Sequence, residues 1–79
     1  MIKYNDFGEY TATVKEHREA IAQLLKDNIA TLTTTEIIEN SNIIEDTVAT
    51  LSQLYDMDDA KIITIEFTDW AGFNILKED

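Results

Sequence analysis

At Lys61 the apolar period of this chain changes, and that change limits the folds open to it more than any other feature. In Lys61-Ile62-Ile63-Thr64-Ile65-Glu66-Phe67, the side chains of Ile63, Ile65 and Phe67 alternate with Ile62, Thr64 and Glu66, which is the period of a strand. Thr68-Asp69-Trp70-Ala71-Gly72 carries turn chemistry, and Phe73-Asn74-Ile75-Leu76-Lys77 reads as the return strand. Upstream of Lys61 the apolar spacing is helical. The chain therefore reads as α+β, with helices first and a two-stranded β-hairpin after them.

Thr13 and Glu16 form a T-x-x-E capping box, in which each side chain satisfies an otherwise free amide at a helix start. His17, Ala20, Ile21, Leu24 and Leu25 follow as one apolar stripe, and Asn28 tolerates the left-handed conformation that ends helices, so a first helix is expected over about residues 13–27. Either Thr33 (boxed with Glu36) or Thr35 caps a second helix running to about Ser41. A third follows, with Val48, Leu51, Leu54 and Tyr55 as its apolar stripe and with Glu45 and Asp46 in its first turn, where the helix dipole favours anions. Residues 1–12 read as an arm, with a short strand or turn, that lays Tyr4, Phe7 and Tyr10 on the core. Ile21, Leu24, Leu25, Ile37, Val48, Leu51, Ile63 and Ile65 are the expected core.

With 79 residues the expectation is a single domain with a thin core. Its 44% hydrophobic content exceeds that of typical disordered chains, and the absence of cysteine leaves stability to packing or self-association. No stretch approaches the ~20 apolar residues of a membrane span. Met1-Ile2-Lys3-Tyr4-Asn5-Asp6 lacks the basic and apolar regions of a signal peptide, so the expected location is the cytoplasm.

The stretch from Leu32 to Leu51 resembles the winged helix-turn-helix superfamily, found in small bacterial, archaeal and phage regulators. Leu32, Thr35, Glu36, Ile37, Ile43, Thr47, Val48 and Leu51 match that pattern without a gap, with Asn42 at the turn position that is often glycine. Ile38 stands where a small residue lets the helices approach, Ser41 replaces an apolar residue, and Ile44 replaces the usual cap. The resemblance implies a three-helix winged helix over residues 13–77, with residues 13–59 helical and residues 60–77 the wing. It also implies that the third helix carries the recognition surface.

The charges then bear on what that surface meets. There are 16 Asp plus Glu against 6 Lys plus Arg, a formal net charge of −10. Lys and Arg are absent between Lys26 and Lys61, a stretch that holds eight acids. Binding to duplex DNA scales with the phosphates neutralised, and here Lys3, Lys61 and Lys77 alone stand near the expected contacts. The reading favoured is a small acidic protein-binding module of phage or mobile-element type. Such an adaptor or inhibitor would act on a basic nucleic-acid-binding protein, with Glu36, Glu39, Glu45, Asp46, Ala49, Thr50, Gln53 and Asp56 as its partner face. Regularly spaced carboxylates there would imitate a phosphate backbone, as in some short acidic phage proteins that are similar in size and charge. A solvated face and a DNA-binding transcriptional regulator remain the alternatives. Trp70, in the expected wing turn, either folds back on the core or anchors a partner or a second copy of the chain, so a homodimer stays open.

Enzyme chemistry finds no foothold. His17 is the lone histidine and lies on an apolar stripe, so it reads as a boundary or core residue rather than as a metal ligand or base. Asp56-Met57-Asp58-Asp59 lacks the glycine and distal glutamate of a calcium loop. Neither a phosphate-cradling glycine loop nor a nucleophile motif is present. The expectation is a non-enzyme without cofactor, metal, small-molecule substrate or membrane partner.

Overall fold

The computed structural model describes residues 2–69 and 72–78. Three helices and a three-stranded antiparallel sheet follow one another as β1 (Gly8–Thr13), α1 (Val14–Ala30), α2 (Thr34–Glu39), α3 (Ser41–Tyr55), β2 (Ile62–Asp69) and β3 (Gly72–Glu78). The expected helices-then-hairpin order is present, and the arm adds a strand to it. β2 lies in the centre, with β1 on one side and β3 on the other.

Of the short strand or turn expected in the arm of residues 1–12, the structure has the strand, β1, which joins the sheet. Its register sets Tyr10 opposite Ile65 and Ala12 opposite Ile63, so these side chains point to the same sheet face as the buried positions of β2. Glu9 and Thr11 point the other way, and the Thr11 and Thr64 hydroxyls meet at 2.8 Å. Gly8 opens the strand at φ +146°, a conformation that L side chains rarely adopt, which accounts for glycine there.

Strand and helix meet without a loop. Thr13 ends β1 and caps α1: its hydroxyl accepts from the Glu16 amide at 3.2 Å, and the Glu16 carboxylate accepts back from the Thr13 amide at 3.4 Å. The next two free amides are met by the chain entering β2, with Val14 N–H donating to Lys61 O at 2.8 Å and Lys15 N–H to Asp59 O at 3.1 Å. Arg18 adds an ion pair to Asp59 at 2.6 Å and lays its guanidinium 4.8 Å from the Tyr55 ring centroid. The start of α1, the end of α3 and the start of β2 are thus tied at one corner.

α1 runs past Asn28 to Ala30 and is capped by Thr31, whose hydroxyl donates to Asn28 O at 3.0 Å. Asn28 keeps helical geometry, and among the described residues no residue other than glycine has positive φ. Thr33, not Thr35, caps α2 through a second box with Glu36.

The largest departure from expectation lies between α2 and α3. α2 is six residues long, and Asn40 alone separates it from α3. The Asn40 side chain donates back to Glu36 O at 2.7 Å rather than capping α3. Asn42 is therefore helical and forms no turn, and Thr47-Val48 lies well inside α3. Glu45 and Asp46 also fall beyond its first turn, which holds no acid. Ile38 is 68% exposed, so it does not sit in a helix crossing.

α3 is also rotated relative to its expected stripe. Leu54 is buried and Leu51 packs against the core, but Val48 is 46% exposed and Tyr55 68% exposed. Thr47 and Thr50 are buried in their place. Each hydroxyl is satisfied by the carbonyl four residues back, Ile43 O at 3.0 Å and Asp46 O at 3.2 Å, so only the methyl groups face the interior. Val48 and Tyr55 lie about a quarter-turn from the middle of this stripe.

The core consists of Tyr4, Val14, Ala20, Ile21, Leu54, Ile63, Ile65 and Phe67, with Leu24, Leu51, Phe73 and Ile75 packed against it. Of the other expected core residues, Leu25 and Ile37 are half-buried. Tyr4 crosses the sheet end with ring centroids 4.7 Å from Tyr10, 5.2 Å from Phe73 and 5.7 Å from Phe67. Phe67 stacks on Phe73 at 5.0 Å and meets Phe7 edge-on at 5.2 Å. Tyr4 and Tyr10 thus lie against the core as expected, while Phe7 is 59% exposed.

Candidate protein-binding surface

Among the described residues, His17 and Tyr4 are titratable groups that the fold encloses as a hydrogen-bonded pair. The Nδ1 of His17 lies 2.5 Å from the Tyr4 hydroxyl and its Nε2 3.0 Å from the Ile63 carbonyl oxygen. A carbonyl only accepts, so Nε2 carries the proton, and Tyr4 donates to Nδ1. Burial lowers the His17 pKa below that of a free imidazole and raises that of the Tyr4 phenol, so both are neutral near pH 7. With both nitrogens engaged and no solvent exposure, this pair links the arm, α1 and β2 and has no free position for a metal or substrate. Among the described residues, no group of three or more His, Asp or Glu side chains could hold a metal ion.

The surface is where the charge lies. Glu36, Glu39, Glu45, Asp46, Ala49 and Gln53 are exposed on α2 and α3, and Asp56 is exposed at the C-cap of α3, as the sequence suggests. Glu45, Ala49 and Gln53 form one row of α3 at four-residue spacing, with Asp46 beside it. Thr50 does not belong with them: it is 8% exposed, and its hydroxyl is turned to the Asp46 carbonyl. Trp70 lies outside the described residues. Glu36 has a structural task as well, since its carboxylate accepts from the Thr33 amide at 3.0 Å, and that bond lowers its pKa. Asp59 is likewise held below the usual carboxylate range by the Arg18 hydrogen bond.

Sequence reasoning missed the apolar side chains exposed among these acids. Ile38 on α2 and Val48 and Tyr55 on α3 stand open to solvent. Thr47 and Thr50 complete the inward stripe with Ile43, Leu51 and Leu54 and leave Val48 outside it, and the only signal for this was that threonine can bond its hydroxyl to its own helix. A groove of about 240 Å³ also opens between the C-terminal half of α1 and the α2–α3 junction, with Leu24, Leu25, Ile29, Leu32, Ile43 and Ile44 in its walls. A second hollow of about 840 Å³ separates residues 2–5 from α1, and both Lys3 and Lys26 and the acids Glu19 and Asp27 line it. Its mixed border selects neither sign of ligand.

Among the described residues no helix is long and apolar enough to cross a membrane. Comparison with known protein families, curated proteins and solved structures finds no match to this chain.

Proposed function

We propose that the chain is a winged-helix variant that works as a non-enzymatic protein-binding module, an adaptor or inhibitor acting on a basic nucleic-acid-binding protein. Three helices followed by the β2–β3 hairpin support the winged-helix part of this reading. β1 ahead of α1 and the single-residue joint at Asn40 mark it as a variant. The observation that carries the functional part is the exposed carboxylate set of Glu36, Glu39, Glu45, Asp46 and Asp56, in a stretch without Lys or Arg from Asp27 to Ala60. Such a face repels a phosphate backbone and attracts a surface built to hold one. Occupying that surface in place of nucleic acid is the simplest action open to it.

A gel-shift series at low salt separates this reading from a DNA-binding regulator. The isolated chain is expected to leave duplex DNA unretarded at every sequence tried, because low salt favours whatever phosphate contacts exist and the α3 face offers none. Sequence-specific retardation by the isolated chain would overturn the proposal in favour of a transcriptional regulator.

A further inference from the structure

The groove between α1 and the α2–α3 junction lies on a different side of α3 from the carboxylate row: Ile43, Ile44 and Thr47 line it, whereas Glu45, Ala49 and Gln53 do not. Its walls are mainly aliphatic and none of its residues but Thr47 is fully buried, so the packing of the described residues leaves the groove unfilled. About 240 Å³ is small for a drug-sized ligand. An engineered cavity of about 150 Å³ takes one benzene-sized group. The groove therefore suits one or two apolar side chains presented by something larger.

Charge decides what that larger body is. α1 ends at this groove with no basic residue in its last turn, so no cationic side chain there offsets the partial negative charge of its carbonyl end, which the Thr31 hydroxyl meets only at Asn28 O. The chain from Asp27 to Ala60, which supplies most of the groove, contains eight acids and no base, and Lys26 is the nearest cation before it. A second copy of the chain would bring a further net charge of −10 to the contact and is disfavoured.

We propose that this groove seats an amphipathic helix of a basic protein partner, with two apolar residues at i and i+3 or i+4 in the groove and its Lys and Arg towards Asp27, Glu39 and Asp46, which adjoin the groove residues Asn28, Asn40 and Thr47 in sequence. The inference rests on the reading above that the partner is a basic protein. It adds a second, apolar point of attachment that the carboxylate row alone would not supply.

The test uses the full chain, isotope-labelled for amide NMR, and three probes: a synthetic Leu/Lys peptide with leucines at helical spacing, a peptide of the same composition with that spacing scrambled, and oligolysine. The expected result is that the patterned peptide shifts the amides of Leu25, Ile29, Leu32, Ile43 and Ile44 and binds about tenfold or more tightly than the scrambled one. Ile29→Lys should abolish that advantage while Glu45→Lys with Asp46→Lys keeps it. If Ile29→Lys does not give a folded spectrum, Ile44→Ala takes its place, with the advantage reduced rather than abolished. Equal binding of all three probes, with shifts confined to Glu36, Glu45, Asp46 and Gln53, would overturn the groove proposal and leave the carboxylate-face reading standing. Shifts from the patterned peptide clustered anywhere else would also overturn the groove. Failure of every probe to bind at low salt would overturn both.

Discussion

Phe67→Ala is expected to cost about 3–5 kcal/mol, the usual loss when a buried phenylalanine is truncated to a methyl group. A chain of 79 residues has roughly 4–12 kcal/mol of total stability, so the loss removes from about a quarter to the whole of it. The size of the effect follows from position. Phe67 is buried in the central strand, stacked on Phe73, and it also receives the rings of Tyr4 and Phe7 from the segment before α1. Removing its ring opens the sheet end and releases that segment together. Phe67→Leu, which keeps most of the volume, should cost under about 1.5 kcal/mol. Urea unfolding followed by far-UV circular dichroism checks both, and a loss below about 1 kcal/mol for the alanine variant would contradict the packing described.

The second large effect is a dependence on pH that begins well above the carboxylate range. His17 is neutral in the fold because burial lowers its pKa, whereas in the unfolded chain it takes a proton near its ordinary value of about 6.5. Between its folded pKa and about 6.5, the unfolded state binds one more proton than the folded state, so stability falls as the pH drops through that window. The slope approaches 1.4 kcal/mol per pH unit at most for a single group. The carboxylates of Glu16, Glu36 and Asp59, whose folded pKa values are depressed by hydrogen bonds from Thr13, Thr33 and Arg18, add losses only below about pH 4.5. Tyr4→Phe removes the donor to Nδ1 and leaves a buried acceptor unsatisfied, at about 1–3 kcal/mol. The pair Tyr4→Phe with His17→Leu should flatten the profile between the folded His17 pKa and about pH 6.5 while the carboxylate window stays. An unchanged slope in the double variant would show that His17 is not its source.

The parts of this fold that were legible in the sequence are those set by near neighbours. Both capping boxes, Thr13 with Glu16 and Thr33 with Glu36, close over three residues and form as the sequence suggests. The alternation through Ile63, Ile65 and Phe67 needs only one packed face to be read as a strand. What escaped, or was left open between strand and turn, depends on distant partners. Gly8-Glu9-Tyr10-Thr11-Ala12-Thr13 becomes a strand because β2, over fifty residues later, offers it a ladder. The rotation of α3 turns on Thr47 and Thr50, polar by type but able to hide their hydroxyls on their own helix, and no hydropathy pattern ranks them above Val48. The expected turn at Asn42 failed for a related reason: with the Asn40 side chain bonded back to Glu36, helix resumes at Ser41 without needing a left-handed residue.

The same division applies to the surface. Exposed carboxylates were legible because charges seldom bury unpaired, and Glu36, Glu39, Glu45, Asp46 and Asp56 lie outside. Thr50 was misplaced by the same rotation that put Val48 in the open. The position of Glu45 and Asp46 beyond the first turn of α3 has a practical consequence. Reversing them removes little dipole energy, so a charge-reversed variant should stay within about 0.5 kcal/mol of the parent and report on binding alone.

That variant gives the most direct test of the claim that the α2–α3 carboxylate face binds a basic nucleic-acid-binding protein. The chain and its Glu45→Lys, Asp46→Lys double variant are each immobilised, exposed to nuclease-treated extract of the source cell, and eluted with rising salt. The parent is expected to retain a basic nucleic-acid-binding protein that leaves as salt screens the contact, and the folded double variant should lose it at low salt. Equal retention by both chains, or retention only of proteins without a basic nucleic-acid-binding surface, would contradict the account.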